Sequence, residues 1–281
     1  MTLIGVDIGA GHIRGGRVTK KGIITKSVYR ILHPDDDVQE VLIKLFEVID
    51  RLITHSVEFI GVGVPGLVSK HGNVITLRNI DAWRNVPLKS ILERKYKRHT
   101  SIDNDANCFV LGEKCFGKAK KYNNVVGVIM GSGSGAGVLI NGKLYDGLDS
   151  GAGQFGDIKF NHKTVEDYCS SKFFLWKYHL TGMQMYHKVI RGSHNALIAF
   201  DKFGVYVAEE LAMVIESIAP EMIVLGGSVA NSFRFFKNSM FETLKEKIPE
   251  HQFKLLKIKK SSLRHAGVLG AAMLYKDYLK R

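Results

Sequence analysis

The sequence is poor in cysteine and in acid, and it has no apolar run long enough to cross a bilayer. Its three cysteines (Cys108, Cys115 and Cys169) form no pair at close metal-ligand or redox spacing. That argues against a disulfide framework and for a reduced, cytoplasmic setting. The ~18 consecutive apolar residues that a membrane span needs are missing. Met1-Thr2-Leu3-Ile4-Gly5-Val6-Asp7 lacks the basic segment and apolar core of a signal peptide. No membrane partner is expected. Acidic residues number 27 against 40 lysines and arginines, which leaves a formal net charge of +13. Such an excess raises three kinds of partner: nucleic acid, an anionic membrane surface, or anionic small molecules. The densest basic patches, Lys118-Ala119-Lys120-Lys121 and Lys254 to Lys260, carry no interleaved aromatics. Zinc-finger and helix-turn-helix spacings are also missing. In the second patch Leu256 and Ile258 alternate with Lys257 and Lys259, the pattern of a strand with one wet face. No nucleic-acid partner is expected.

What is present is ordinary globular composition, 45% hydrophobic and 24% charged over 281 residues, a length that suits two compact lobes. Leu3 to Gly9, His12 to Thr19 and Ile23 to Tyr29 read as an antiparallel meander. From Asp37 the apolar residues recur at helical spacing (Val38, Val41, Leu42, Leu45, Phe46, Ile49, Leu52), with Asp35-Asp36-Asp37 to cap the start. Phe59 to Val64 is a buried strand that ends at Pro65-Gly66, and Val68 to Ile75 a small hairpin. A loop with Asn79 and Trp83 follows, then a helix from Val86-Pro87-Leu88 to Tyr96. Trp83 is read as a core anchor.

A second meander starts at Val125 to Met130, turns at Gly131 to Gly137, and returns through Val138-Leu139-Ile140 to the hairpin signal Asn141-Gly142. The order repeats that of the N-terminus, so the chain reads as a weak internal duplication. Helices are expected over Glu166–Leu180, Ala196–Ile218, Ser232–Ile248 and Ala266–Leu279, and strands over Glu221–Leu225 and Leu255–Lys260.

Ser101-Ile-Asp-Asn-Asp-Ala-Asn carries the clearest chemical signal. A strand end that releases a carboxylate at a helix start is a common place for an open α/β protein to put chemistry. Capping of the helix by Asn104 or Asp105 is the competing reading. The glycine turns weigh in favour of chemistry. Backbone that must bring several N–H groups against phosphate oxygens cannot carry Cβ atoms there. The first turn has Gly9 and Gly11 beside Asp7, and the second has Gly131, Gly133, Gly135 and Gly137. Neither contains the Gly-Lys-Ser/Thr of a P-loop, and neither leads into a helix as a dinucleotide fingerprint does. A third glycine pair, Gly226-Gly227, lies where a strand feeds a helix, which suits the nucleoside end of a ligand.

These pieces occur in the order found in the ROK family (repressors, uncharacterised reading frames and sugar kinases) of the actin, hexokinase and heat-shock ATPase superfamily, which the chain resembles nearly end to end. The resemblance rests on Asp7-Ile8-Gly9, Gly63-Val64-Pro65-Gly66, Asn79 with Trp83 and Pro87-Leu88, and Asn104-Asp105-Ala106-Asn107. It continues through Gly131 to Gly137, Gly151-Ala152-Gly153 with Gly156, Leu225-Gly226-Gly227, and Ala266 to Ala272.

The resemblance implies an α/β protein with two lobes of actin-like ATPase (ribonuclease H-like) fold. Each lobe holds a mixed sheet flanked by helices, and the cleft between them holds the active site. Residues 1–117 would form the sugar- and phosphate-binding lobe and residues 118–281 the nucleotide-binding lobe, with the closing helix 266–281 free to pack back on the first. It further implies an ATP-dependent kinase acting on the 6-hydroxyl of a hexose or N-acetylhexosamine, with Mg²⁺ as cofactor and a homodimeric state. N-acetylmannosamine is the favoured sugar; glucose, or a broad hexose range, is the alternative. A non-catalytic sugar sensor is the further alternative, although the family's repressors carry an N-terminal helix-turn-helix and this chain starts on its first strand. Asp105 would be the general base. Gly66, Asn79, Asn104, Gln154, Asp157 and Glu166 would bind the sugar. Asp7, Gly9, Gly11, His12, Gly131, Ser132, Gly133, Gly226 and Gly227 would bind ATP, with Asp7 near Mg²⁺, directly or through water.

Three departures stand out. Family members have Thr then Lys where this chain has Gly11 and His12. Their Gly-Glu-x-Gly-His reads Gly153-Gln154-Phe155-Gly156-Asp157 here, and their zinc loop of clustered cysteines is missing, so no structural zinc is expected. His162 and Glu166 lie four apart and could share a helix face near Asp157, which leaves a substitute metal site open beside a capping or hydrogen-bonded role for His162.

Overall fold

The computed structural model describes residues 2–33, 35–77 and 80–275, with backbone alone at 80–82. Strand β1 (Thr2–Gly9) forms a meander with β2 (His12–Thr19) and β3 (Ile24–Ile31). In its antiparallel register Asp7 faces Arg14 and Gly9 faces His12. Helix α1 (Val38–Asp50) opens on a capping box in which Asp37 takes the Glu40 N–H and Glu40 takes the Asp37 N–H. Next come β4 (Val57–Val64), β5 (Gly66–Val68), β6 (Val74–Leu77) and β7 (Ile80–Val86). The stretch read as a loop around Trp83 is therefore the third strand of a small antiparallel sheet, β5-β6-β7, and the Trp83 indole is fully buried. Asn79 lies outside the described residues. Helix α2 (Leu88–Tyr96) starts just after Pro87, and β8 (His99–Asn104) runs straight into α3 (Asp105–Phe116).

The second half repeats the plan. Strands β9 (Val125–Met130), β10 (Ser134–Ile140) and β11 (Lys143–Tyr145) make its meander. Asn141 and Gly142 both have positive φ (53° and 75°), as a two-residue hairpin turn of this composition requires. A minimal hairpin, β12 (Lys159–Phe160) and β13 (Lys163–Thr164), precedes α4 (Val165–Cys169) and α5 (Lys172–Tyr178). The single helix expected over 166–180 is thus two, because Ser170 is extended (φ −124°, ψ −174°). Helices α6 (Gly182–Ile190) and α7 (His194–Ile218) lead to β14 (Met222–Gly226), α8 (Phe233–Lys247), α9 (Glu250–Leu255), β15 (Lys257–Lys260) and α10 (Ala266–Met273).

The two five-stranded sheets have the orders β3-β2-β1-β4-β8 and β11-β10-β9-β14-β15. Read along the chain these are one order, so the repetition seen in the glycine turns is a repetition of topology. The chain divides into two compact units: residues 1–121, 137–152 and 262–281 in the first, 122–136 and 153–261 in the second. The first unit packs its sheet on both faces. Ile4, Val6 and Ile8 join α1 and α2 on one side, while Leu3, Phe59 and Cys108 join α3 and α10 on the other. Glycine makes the second contact possible. A Cβ at Gly5 or Gly61 would run into the Val268 or Ala271 carbonyl oxygen of α10, and one at Gly270 into the Cys108 carbonyl of α3. Among the described residues no helix is long and apolar enough to cross a membrane.

Candidate active site

The residues singled out in the sequence fall on both units, and each group has its own construction. In the first unit, β8 ends at Asn104 and α3 begins at Asp105. Asn104 is a working helix cap: its Oδ1 accepts the Ala106 N–H at 2.9 Å, and its Nδ2 donates to the Gly66 carbonyl at 3.1 Å. The capping reading and the binding reading are therefore compatible. The carboxamide is fixed in direction, and one Nδ2 hydrogen remains beyond the bond to Gly66. Asp105 is half-buried between fully covered neighbours, and its Oδ1 accepts its neighbour's N–H at 2.9 Å.

Asp103 forms a buried base under this corner, and sequence reasoning gave it no role. Its Oδ1 takes the Asn104 N–H at 2.7 Å and the Asn107 Nδ2 at 2.8 Å. Burial lifts its carboxyl from the ordinary 3.8 to about 6, against hydrogen bonds from Asn107, Asn104 and Ser150 that pull it down. It orients the Asn107 carboxamide and anchors the backbone at Asn104, just before Asp105.

The first glycine turn, also in this unit, joins β1 to β2 through Ala10 and Gly11. A Cβ at Gly9 would meet the His12 ring at 3.1 Å, whereas nothing lies within 4 Å of one at Gly11, and φ there is not positive. Neither packing nor backbone geometry requires glycine at position 11. Asp7 is half-buried with no hydrogen-bond partner among the described residues, and Gly267 of α10 sits over it, a Cβ there meeting Oδ2 at 2.9 Å. Burial raises the Asp7 carboxyl to about 6, while Arg14 pulls it down. Burial and then Arg14 hold the His12 imidazole below its usual range. A carboxylate without a hydrogen-bond partner among the described residues suits a hard divalent cation that takes oxygen ligands, so Asp7 fits Mg²⁺.

In the second unit, a Cβ at Gly131 would have only Ser228 Oγ for company, at 4.0 Å. Ser132 is exposed. At Gly133 a Cβ would strike the Glu166 carboxylate, whose Oε2 accepts the Ser134 N–H at 3.0 Å and whose Oε1 accepts from Lys172 Nζ. Glu166 is thus tied to the glycine turn itself. Ser134 Oγ in turn donates at 2.6 Å to Oε1 of Glu210 on α7, a fully buried carboxyl that burial lifts to about 7. Nothing local in the sequence marks Glu210 or Lys172. Gly227 has φ +85° and packs on the Met130 carbonyl, directly after Gly226 at the end of β14. Gln154 precedes and Asp157 ends a single 3₁₀ turn (Phe155–Asp157) whose Gly156 packs on the Ser134 carbonyl.

The open metal site at His162 needs correction. His162 lies in the turn between β12 and β13, off any helix, and meets the Tyr168 hydroxyl at 3.3 Å. Its ring packs edge-on against Trp176. Among the described residues no three His, Cys, Asp or Glu side chains are grouped to hold a metal.

The doubled sheet order is that of the actin-like fold. The ROK family model matches residues 3–278, and the chain belongs to that family. The curated relatives it matches include repressors and sugar kinases. The xylose repressor of Bacillus subtilis is 28% identical over 98% of this chain and 77% of the repressor. The N-acetyl-D-glucosamine kinase of Yersinia pseudotuberculosis is 25% identical over 94% of this chain and 98% of the kinase. Among solved structures, a ROK family glucokinase from Streptomyces griseus, in complex with glucose and AMPPNP, shares the fold. Its TM-score is 0.84 at 23% identity, covering 98% of this chain and 99% of that one.

Proposed function

We propose that the protein is an ATP-dependent kinase for the 6-hydroxyl of a hexose or N-acetylhexosamine, and among these we favour N-acetylmannosamine. The observation that carries the reading is Asp105: a half-exposed carboxylate on the first residue of α3, between the Asn104 carboxamide, held by Gly66 and Ala106, and the Asn107 carboxamide, held by Asp103. In this reading Asp105 accepts the proton of the attacking hydroxyl. The remaining Nδ2 hydrogen of Asn104 holds a neighbouring hydroxyl, and Asn79 holds another. Phosphoryl transfer asks the protein mainly for position and charge neutralisation. The amides of the two glycine turns supply both, at Gly9 and Gly11 and at Gly131 to Gly133. Mg²⁺ held at Asp7 would neutralise charge on the β- and γ-phosphate oxygens. The sugar preference follows from Gln154 and Asp157, which stand where glucose-binding relatives are expected to carry Glu and His. By the same resemblance the protein is a cytoplasmic homodimer without structural zinc, which light scattering and zinc analysis of the purified protein would check.

A coupled ADP-release assay over a panel of hexoses and N-acetylhexosamines identifies the sugar. With that sugar, Asp105→Asn should lower kcat by about 10²–10⁴-fold, the share that a general base supplies. A kcat loss under about tenfold, with only KM raised, would remove Asp105 as the base. The repressor relatives support a second reading, a non-catalytic sugar sensor. Sugar binding by calorimetry with no ADP released from any of the panel would favour it.

A further inference from the structure

Arg14 is the residue on this face that the proposed chemistry leaves unused. It stands opposite Asp7 across the β1–β2 pair, where an aspartate and an arginine ordinarily bridge. Here they do not. The guanidinium has no ion pair or hydrogen bond among the described residues and lies over the Tyr29 ring, 5.7 Å from its centroid. The Asp7 carboxylate turns instead to Gly267 at the start of α10. His12, two residues before Arg14 on the same strand face, stacks on Tyr29 at 5.5 Å, and its ring too has no hydrogen-bond partner among the described residues. His265 is close enough to Arg14 to feel its charge. It takes a left-handed backbone conformation (φ 58°, ψ 39°) at the N-cap of α10 and leaves that helix start without a side-chain cap. Arg14 and His12 share one face of the strand that follows the first glycine turn, and His265 opens α10 near enough to Arg14 to feel its charge; their side-chain donors have no hydrogen-bond partner among the described residues, and a helix start favours anions.

We propose that Arg14, His12 and His265 form a polyphosphate-tail site that takes the terminal phosphates of the donor, in place of the hydroxyl and lysine missing at positions 11 and 12. The site rests on the kinase reading for its ligand, and it goes further in assigning the donor's recognition to a planar guanidinium fork. Two parallel N–H groups of an arginine match two phosphate oxygens, which an ammonium cannot do. The recognised chemistry is a linear chain of phosphates, so inorganic tripolyphosphate should bind without any nucleoside.

Titration calorimetry with inorganic tripolyphosphate, with and without Mg²⁺, tests this on the full chain. The unmodified protein should bind it. Arg14→Gln should weaken binding at least about tenfold, and Arg14→Lys should fall between, as expected for a charged hydrogen-bonded pair reduced to a point charge. In turnover, Arg14→Gln should raise KM for ATP by a similar factor and leave KM for the sugar within twofold. Melting curves show whether each variant is folded. If Arg14 only balances Asp7, the double variant Asp7→Asn/Arg14→Gln would recover tripolyphosphate binding, and the proposal falls; continued weak binding supports it. Unchanged tripolyphosphate affinity in folded Arg14→Gln overturns the site while leaving a working kinase intact. If instead no sugar is phosphorylated, yet tripolyphosphate binds and Arg14→Gln loses it, the kinase reading fails and this site stands.

Discussion

Gly11 stands where the resembling kinases carry threonine, and the structure leaves room for one. No atom lies within 4 Å of a Cβ at this position, and φ is outside the left-handed region. Gly11→Thr should therefore cost the fold nothing by contact. Loss of glycine's freedom in the unfolded chain stabilises by ~0.4–1 kcal/mol at a compatible site. For a chain of this size that is a rise of at most about 2–4 °C in Tm. The effect on the donor should be larger. A hydrogen bond to a charged acceptor contributes ~1.5–3 kcal/mol, and the low end applies because backbone amides already share the phosphate charge. At about 1.4 kcal/mol per decade, KM for ATP should fall about tenfold, with KM for the sugar unchanged. The assay is ADP release at saturating sugar, paired with thermal melting. A folded Gly11→Thr protein whose KM for ATP stays within twofold would refute the placement of phosphate at this turn. The contrast is Gly5→Ala, whose new methyl would collide with the Val268 carbonyl oxygen; overpacking of this kind costs ~1–3 kcal/mol or more, and Tm should drop.

Gly270→Ala should destabilise by a similar margin, since its methyl would enter the Cys108 carbonyl of α3, and urea unfolding would measure the loss. Asp103 and Glu210 carry folded values of about 6 and about 7 against ordinary values of 3.8 and 4.5. The native state therefore binds these protons more tightly than the unfolded chain does. Their contribution to stability falls as pH rises from about 4 through 7 and is level above that. Melting Glu210→Gln beside the parent across that range should show the variant gaining relative stability toward pH 8; a constant difference would mean that Glu210 is ionised in the fold. Trp83→Ala should cost ~3–5 kcal/mol, as removal of a fully buried indole does, read again by urea unfolding.

Local pattern carried much of the fold. The alternation in β1 and β2, the Asp37 cap with Glu40 three residues on, and the Asn141-Gly142 turn are each set by neighbours a few residues away, so one sequence displays them. β7 was not legible because Ile80-Asp-Ala-Trp-Arg-Asn-Val lacks a run of β-branched residues. Pairing with β6, a tertiary contact, makes it a strand. The break at Ser170 is not legible because the helical spacing of Phe173 and Phe174 continues past it. At the site, Asp105 and the glycine turns announce themselves by residue type. Glu210 does not, since its hydrogen bond spans 76 residues to Ser134 and leaves no spacing to read. Arg14 was half visible, two residues past His12 on one strand face, but its unbridged state is a matter of side-chain direction.

The close seating of α10 on glycines of β1, β4 and α3 has a consequence for how the chain is made. The first strand leaves the ribosome long before the helix that covers its glycine face. Until then Gly5 and Gly61 offer a flat, side-chain-free groove with nothing to fill it, and β1 cannot gain its final packing. The first unit is therefore completed only after the second has been synthesised between its parts.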